Sequence, residues 1–212
     1  MKNNLATFHF VRHANVYNPN NVIYEHVPGF HLSEKGYRQA EKVAEFLGNR
    51  KNWFEKFNSF TFDLSKNLYS SPLLRAQETS APILAKLNLD MVQDARIVEA
   101  RSVIPGKPIP KNIFKKIHFA RNPFRPSWGE KYTDILDRML SFMDETSQKE
   151  TGKQIVCISH QTPIWVLHRY FRGKPLWHNP GKRFTPNCSI TSFVYNFETK
   201  KLEAPVRYFE PV

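Results

Sequence analysis

The sequence predicts an α/β fold, a three-layer α/β/α sandwich doubly wound about a mostly parallel sheet. Three observations carry that expectation. Short apolar runs alternate with amphipathic helical stretches, the order that builds a sheet with helices on both faces. Two of those runs, Leu5 to Val11 and Gln154 to Ser159, end on Arg12-His13 and on His160. A third, Asn67 to Ser70, is followed by Ser71-Pro72 and then Arg75. Ligands of open α/β sheets bind outside the carboxyl ends of the strands. One edge of this sheet is therefore expected to collect two arginines and two histidines.

The elements follow in order. After the first strand, Ser33 is a good N-cap for a helix over Glu34 to Leu47, with Ala40, Val43, Ala44 and Leu47 on one face and Gly48 closing it. Asn67 to Ser70 is the second strand. Ser71 as cap and Pro72 as first helical residue predict a helix to about Leu87. A short strand is expected at Arg96 to Glu99. Glu130 to about Thr146 carries Tyr132, Ile135, Leu136, Met139, Leu140 and Met143 on its buried side. Gln154 to Ser159 is the most strand-like run, and Thr162-Pro163 repeats the cap-and-proline device for a helix to Phe171. Ser189 to Phe197 alternates as a strand, and Lys201 to Arg207 reads as an edge strand.

A chain of 212 residues is expected to form a single domain over 1–212, burying roughly 70% of its unfolded surface. No apolar run approaches the ~20 residues of a membrane span, so a cytoplasmic location and no membrane partner are expected. Cys157 and Cys188 are the only cysteines, too few for a disulfide framework or a zinc site. The formal net charge is +12, which suits an anionic partner. Residues 100–129 hold Arg101, Lys107, Lys111, Lys115, Lys116, Arg121 and Arg125 with five prolines and no acidic residue. That stretch reads as a basic, proline-rich excursion from the core. A merely solvated basic face is the alternative.

The residues at the strand ends suit one chemistry. A phosphate monoester resists attack because its oxygens are negative, so catalysis must neutralise them. The guanidinium forks of Arg12 and Arg75 match phosphate geometry and keep their charge. Like charge from those arginines favours a neutral, nucleophilic His13. His13 attacks phosphorus, His160 hydrogen-bonds the phosphoryl oxygens, and a carboxylic acid protonates the leaving oxygen. Glu99 is the candidate acid; a surface glutamate paired with Arg96 or Arg101 is the alternative.

At these residues the chain resembles the histidine phosphatase superfamily, the phosphoglycerate-mutase-like or acid-phosphatase-like group. The resemblance lies in Arg12-His13-Ala14, in Leu32-Ser33-Glu34-Lys35-Gly36 with Gln39-Ala40, in Ser70-Ser71-Pro72-Leu73-Leu74-Arg75-Ala76-Gln77-Glu78-Thr79, and in Ile158-Ser159-His160. It spans about residues 5–171. It implies a phosphoglycerate mutase-like fold, His13 as phosphohistidine nucleophile, and a phosphate pocket of Arg12, Arg75 and His160. It also implies Glu99 as proton donor, no metal, and a substrate-covering role for the insertion at about 100–129. The pattern departs at Ala14 and at Gln161, where relatives carry glycine. Asn15 stands next to Ala14 and can contact phosphate, and the phosphate-contacting asparagine is displaced to Asn18. His31 is expected to line the pocket and Gln161 to sit on its rim. His9 is expected to be structural and His118 solvated; His168 is expected in core or surface, and His178 is an outside candidate.

The leading expectation is a phosphomonoester hydrolase acting on a small anionic phosphorylated substrate without a cofactor. The alternative is a cofactor-dependent phosphoglycerate mutase, which would need 2,3-bisphosphoglycerate as primer. The third is a non-catalytic relative that binds anions or nucleic acid. A phosphorylatable histidine between arginines argues against it.

Overall fold

A computed structural model describes residues 4–49, 63–102, 105–108 and 129–212. Most of the basic excursion, including His118, Lys115 and Lys116, lies outside the described residues. The elements run β1 (Leu5–Arg12), α1 (Glu34–Gly48), β2 (Asp63–Ser70), α2 (Leu74–Leu87), β3 (Asp90–Gln93), a 3-10 turn (Ala95–Ile97) and α3 (Tyr132–Lys149). Then come β4 (Lys153–Ser159), α4 (Gln161–Phe171), a 3-10 turn at Pro180–Lys182, and β5 (Ile190–Asn196), β6 (Lys201–Leu202) and β7 (Arg207–Phe209).

The sheet order is β3-β2-β4-β1-β5-β6, with β7 also pairing β5. Strands β3, β2, β4 and β1 run parallel, and β5 pairs β1, β6 and β7 antiparallel. The sheet is thus mixed, with a parallel body and an antiparallel margin.

Alternation along the strands builds the three layers. Ala6, Phe8 and Phe10 of β1, Ile155 and Cys157 of β4, and Phe193 and Tyr195 of β5 pack against α3 and α4. Val11, Val156, Ile158 and Ile190 point the other way, onto α1 and α2. Phe142 of α3 meets Phe8, Phe10 and Tyr69 edge-on, at 6.0, 6.2 and 5.5 Å between ring centroids. Cys157 lies in this core. His9, on the α1/α2 side, bonds Ser192 Oγ and Gln154 Oε1, both at 2.8 Å, so its placement is structural.

Four expectations about local structure need correction. The strand expected at Arg96 to Glu99 is instead the 3-10 turn at Ala95–Ile97, opened by Asp94, whose carboxylate accepts from Arg96 N at 2.8 Å. The strand lies earlier, at Asp90–Gln93. Ser71 does not cap α2. The helix starts at Leu74 with Leu73 as N-cap, and the Ser71 hydroxyl instead bonds His160 at 2.7 Å and accepts from Leu73 N at 3.3 Å, ahead of the helix. Nor does Thr162 cap α4: His160 is the N-cap, and Pro163 falls at the third helical residue, where its missing N–H costs nothing. The expected edge strand divides into β6 and β7 around Pro205, which cannot donate to a ladder.

Candidate active site

The parallel pairing of β1 with β4 sets Arg12 opposite Ser159. His13 and His160 therefore leave the sheet side by side, with ring centroids 5.0 Å apart. His13 N donates to Ser159 O at 3.0 Å, and Asn187 Nδ2 donates to His13 O at 2.8 Å. Thr79 ties this loop to α2: it accepts from Ala14 N at 3.0 Å and donates to Arg75 O at 2.6 Å. Gly36 completes the support, since a Cβ there would sit 2.0 Å from Asn15 O. The glycine of the Leu-Ser-x-x-Gly run is thus required by the close approach of α1 to the loop after His13.

His13 and His160 are 1% and 0% exposed. His13 Nδ1 lies 2.8 Å from Ala14 O. A carbonyl can only accept, so Nδ1 carries the hydrogen and Nε2 keeps its lone pair. Burial holds the His13 pKa well below its ordinary value, and the charges of Arg75 and Arg12 push the same way. Desolvation, rather than like charge alone, is the first cause of its neutrality. His160 is depressed likewise, by burial first and then by Arg75, His13 and Arg12.

The arginines are short of partners. Arg75 is 2% exposed, and its Nε and Nη2 have no hydrogen-bond partner. Arg12 donates Nη1 to Thr185 O at 2.6 Å, but its Nε is unpartnered, as is Nδ1 of His160. Leaving one buried donor unsatisfied costs about 1–3 kcal/mol, and more when it is charged. Buried donors this numerous, on two cations beside an unprotonated imidazole, describe a site shaped for a multiply charged oxyanion. The ring of Tyr24 lies 4.9 Å from the Arg75 guanidinium and meets His13 edge-on at 6.5 Å.

Two carboxylates flank the cluster. Glu99 follows the 3-10 turn rather than a strand, and Ser159 Oγ, donating to Ile97 O at 2.7 Å, holds that turn to β4. Glu99 Oε1 accepts from Ala100 N at 2.8 Å and Thr162 N at 3.3 Å, and its charge reaches Arg12 and Arg75. Glu25, which sequence reasoning missed, accepts from Ser102 N at 2.7 Å. Burial pushes the Glu25 carboxyl up, and the Glu99 charge adds to that. His26 bonds Glu99 O at 2.7 Å, so one loop delivers Tyr24, Glu25 and His26 to this wall.

The expected substrate-binding residues fare differently. His31 is exposed and spends Nδ1 on Glu78 Oε1 at 2.6 Å; the same carboxylate takes Leu32 N, anchoring the loop to α2 rather than lining a pocket. Asn18 closes its own loop on Val22 N and O. Asn15 Oδ1 accepts the Ser33 hydroxyl at 2.7 Å. Gln161 is the half-buried first residue of α4. Among the described residues no cluster of three metal-ligating side chains is present, and no helix is long and apolar enough to cross a membrane.

Neutral buried histidines make stability depend on pH. His9 is lowered to about 3, and His13 and His160 lie well below 6.5. Below pH 6.5 the unfolded chain binds protons that the folded chain refuses, so stability falls with pH. The expected slope is about 1.4 kcal/mol per pH unit for each such histidine, or about 4 for the three. Urea unfolding in phosphate-free buffer between pH 7.5 and 5 checks this; unchanged stability across that range contradicts it.

Residues 8–206 match the histidine phosphatase superfamily (branch 1). The chain is 40% identical over 196 residues to uncharacterized protein Rv0525 of Mycobacterium tuberculosis, covering 89% of each. It is 27% identical over 175 residues to the probable phosphoglycerate mutase GpmB of Yersinia pestis, covering 77% of this chain and 73% of that one. Its fold is that of the mycobacterial glucosyl-3-phosphoglycerate phosphatase Rv2419c, at a TM-score of 0.71 and 22% identity over 96% of this chain and 97% of that one. Four ordered sequence motifs, the sheet that brings them to one edge and a match over nearly the whole chain agree, and the chain belongs to the histidine phosphatase superfamily.

Proposed function

We propose that this protein is a phosphomonoester hydrolase working through a phosphohistidine on a small anionic substrate. The observation that carries the reading is the set of buried, unpartnered donors on Arg12 and Arg75, beside the unpartnered Nδ1 of His160, around a His13 whose Nε2 keeps its lone pair. In the first step His13 Nε2 bonds to phosphorus and the bond to the leaving oxygen breaks. Glu99 gives that oxygen its proton. The arginines and His160 hold the equatorial oxygens, where charge accumulates. In the second step water attacks the phosphohistidine and yields a proton to the Glu99 carboxylate. Inorganic phosphate leaves and His13 is regenerated. Glu25 supplies a second carboxyl on the same wall.

The substrate class follows from charge. The basic excursion at about 100–129 is proposed to cover the pocket within a single domain of 1–212, favouring a substrate with a further anionic group. The relatives support this, since both functional names include a phosphoglycerate. No metal or organic cofactor has a role in these steps. The resemblance to a probable mutase keeps a second reading in view, isomerisation primed by 2,3-bisphosphoglycerate.

Phosphorus NMR separates the two. The protein is incubated with 3-phosphoglycerate and a trace of 2,3-bisphosphoglycerate, and in parallel with an aryl phosphate. Release of free phosphate without isomerisation is expected. A growing 2-phosphoglycerate signal makes the protein a mutase, and no turnover of any phosphoester in a broad panel defeats the enzymatic reading.

A further inference from the structure

A third arginine stands beside the phosphoryl pocket. Arg183 follows the 3-10 turn at Pro180–Lys182, and its guanidinium reaches back over the start of α4. Nη1 donates to Thr162 Oγ1 at 2.8 Å, two residues from His160. The backbone N–H of the same Thr162 points to Glu99 Oε1, so Arg183 and Glu99 share a neighbour. Nε donates to His178 Nε2 at 2.9 Å, and Nη2 lies 3.4 Å from Tyr132 OH.

These partners are all neutral. His178 must be neutral to accept at Nε2, because its Nδ1 donates to Leu176 O at 2.7 Å. Its pKa is lowered to about 4, by burial first, with Arg183 and Arg169 adding to it. The Tyr132 ring packs against the same imidazole, 4.9 Å between centroids and tilted by 39°. Arg183 thus uses three of its five N–H groups on neutral acceptors and forms no ion pair among the described residues. Its anchor on Thr162, two residues after His160 and with its N–H on Glu99, places it beside the pocket, where its charge also bears on Arg12.

The contrast with other arginines is informative. Arg96 and Arg138, also part-buried, are each matched to carboxylates, Asp94 with Glu145 and Glu130 respectively. A guanidinium held in one orientation by three neutral groups, with its charge unmatched, is preorganised for an anion that arrives from outside. Glu99 is the proposed donor to the leaving oxygen, so a cation two bonds of hydrogen bonding away from it lies on the leaving-group side.

We propose that Arg183 is a second anion subsite, taking a carboxylate or second phosphate carried by the leaving group. Thr162, His178 and Tyr132 position its fork, and the subsite gives the enzyme its preference for doubly anionic substrates. This inference rests on reading the Arg12–His13–Arg75–His160 cluster as a phosphoryl site.

Equilibrium binding of unreactive phosphonates tests it without any turnover. Calorimetry compares propylphosphonate, 3-phosphonopropionate and propane-1,3-bisphosphonate on the wild-type protein and on Arg183→Ala. The wild type is expected to bind at least one doubly anionic ligand about tenfold or more tightly than propylphosphonate, the worth of one charge-assisted contact. The larger gain identifies carboxylate or phosphate as the natural group. In Arg183→Ala that advantage is expected to vanish, with propylphosphonate affinity changing far less. Arg183→Gln, whose amide nitrogen falls where Arg183 Nε meets His178 and carries no charge, is expected to lose the advantage as well, and thermal melting verifies that both variants are folded. No preference in the wild type, or an equal loss for all three ligands, overturns the subsite while leaving the phosphoryl site standing. No phosphonate binding to the wild type overturns both.

Discussion

Arg75→Met is expected to make the protein more stable and to abolish its activity. Arg75 is buried with Nε and Nη2 unpartnered, and burial lowers its affinity for a proton, the mark of an ill-solvated cation. Arg12 repels it, and although Glu99 and Glu25 lie within electrostatic reach, neither forms an ion pair with it. Its main compensation is the ring of Tyr24. Methionine fills a similar volume with no charge to desolvate, and replacing buried ion pairs or triads by apolar residues is often neutral or stabilising, by up to about 1–4 kcal/mol. Chemical unfolding in phosphate-free buffer should show a gain in that range. Turnover of an aryl phosphate should fall by roughly a thousandfold or more, the scale of losing a principal electrostatic stabiliser. Inorganic phosphate should raise the melting temperature of the wild type and not of the variant. A variant destabilised like an ordinary core truncation would show that Arg75 is a structural residue.

The second large effect belongs to His13. His13→Ala should lower kcat by about 10⁴-fold or more, as removal of a covalent nucleophile does when the rest of the site survives. Rapid quenching with labelled substrate should trap an acid-labile phosphoenzyme in the wild type and none in the variant. The fold should persist, because the His13 backbone is held by Ser159 O and Asn187. His160→Ala should still be labelled, more slowly, since in the proposed mechanism its ring hydrogen-bonds the transferring group without itself being phosphorylated. Labelling that persists in His13→Ala refutes the nucleophile assignment.

Much of this was legible in the sequence because the strands that position the site are buried on both sides. β1, β4 and β5 are nearly continuous in apolar or small residues, so their ends, and the residues after them, could be placed. β3 was not legible: all four of its residues are exposed, so it carries no hydrophobic pattern, and Arg96-Ile97-Val98 took its place as the expected strand. The caps at Ser71 and Thr162 misled for a related reason. Each hydroxyl satisfies local rules for helix starts, but in the fold each bonds a residue far away in sequence, His160 and Arg183. Tyr24, Glu25, Asn187 and Arg183 had no local signal. Their contributions are contacts between loops or with a distant helix, which spacing along the chain cannot express. His31 failed in the opposite sense, as a plausible loop histidine whose partner, Glu78, sits on α2.

The register of β1 on β4 has a consequence for the life of the chain. Thr7 to Arg12 pair with Gln154 to Ser159, partners separated by nearly one hundred and fifty residues. His13 and His160 come together only after that distant pairing forms, and a slip of one residue would turn His13 to the opposite face. Under the proposed mechanism, activity is therefore expected only once this pairing has formed. During refolding, activity should return with the slowest long-range docking step, well behind the recovery of helical signal from α1 and α3. A nascent chain shorter than β4 carries His13 without His160, so the proposed phosphoryl site is incomplete until the sheet is.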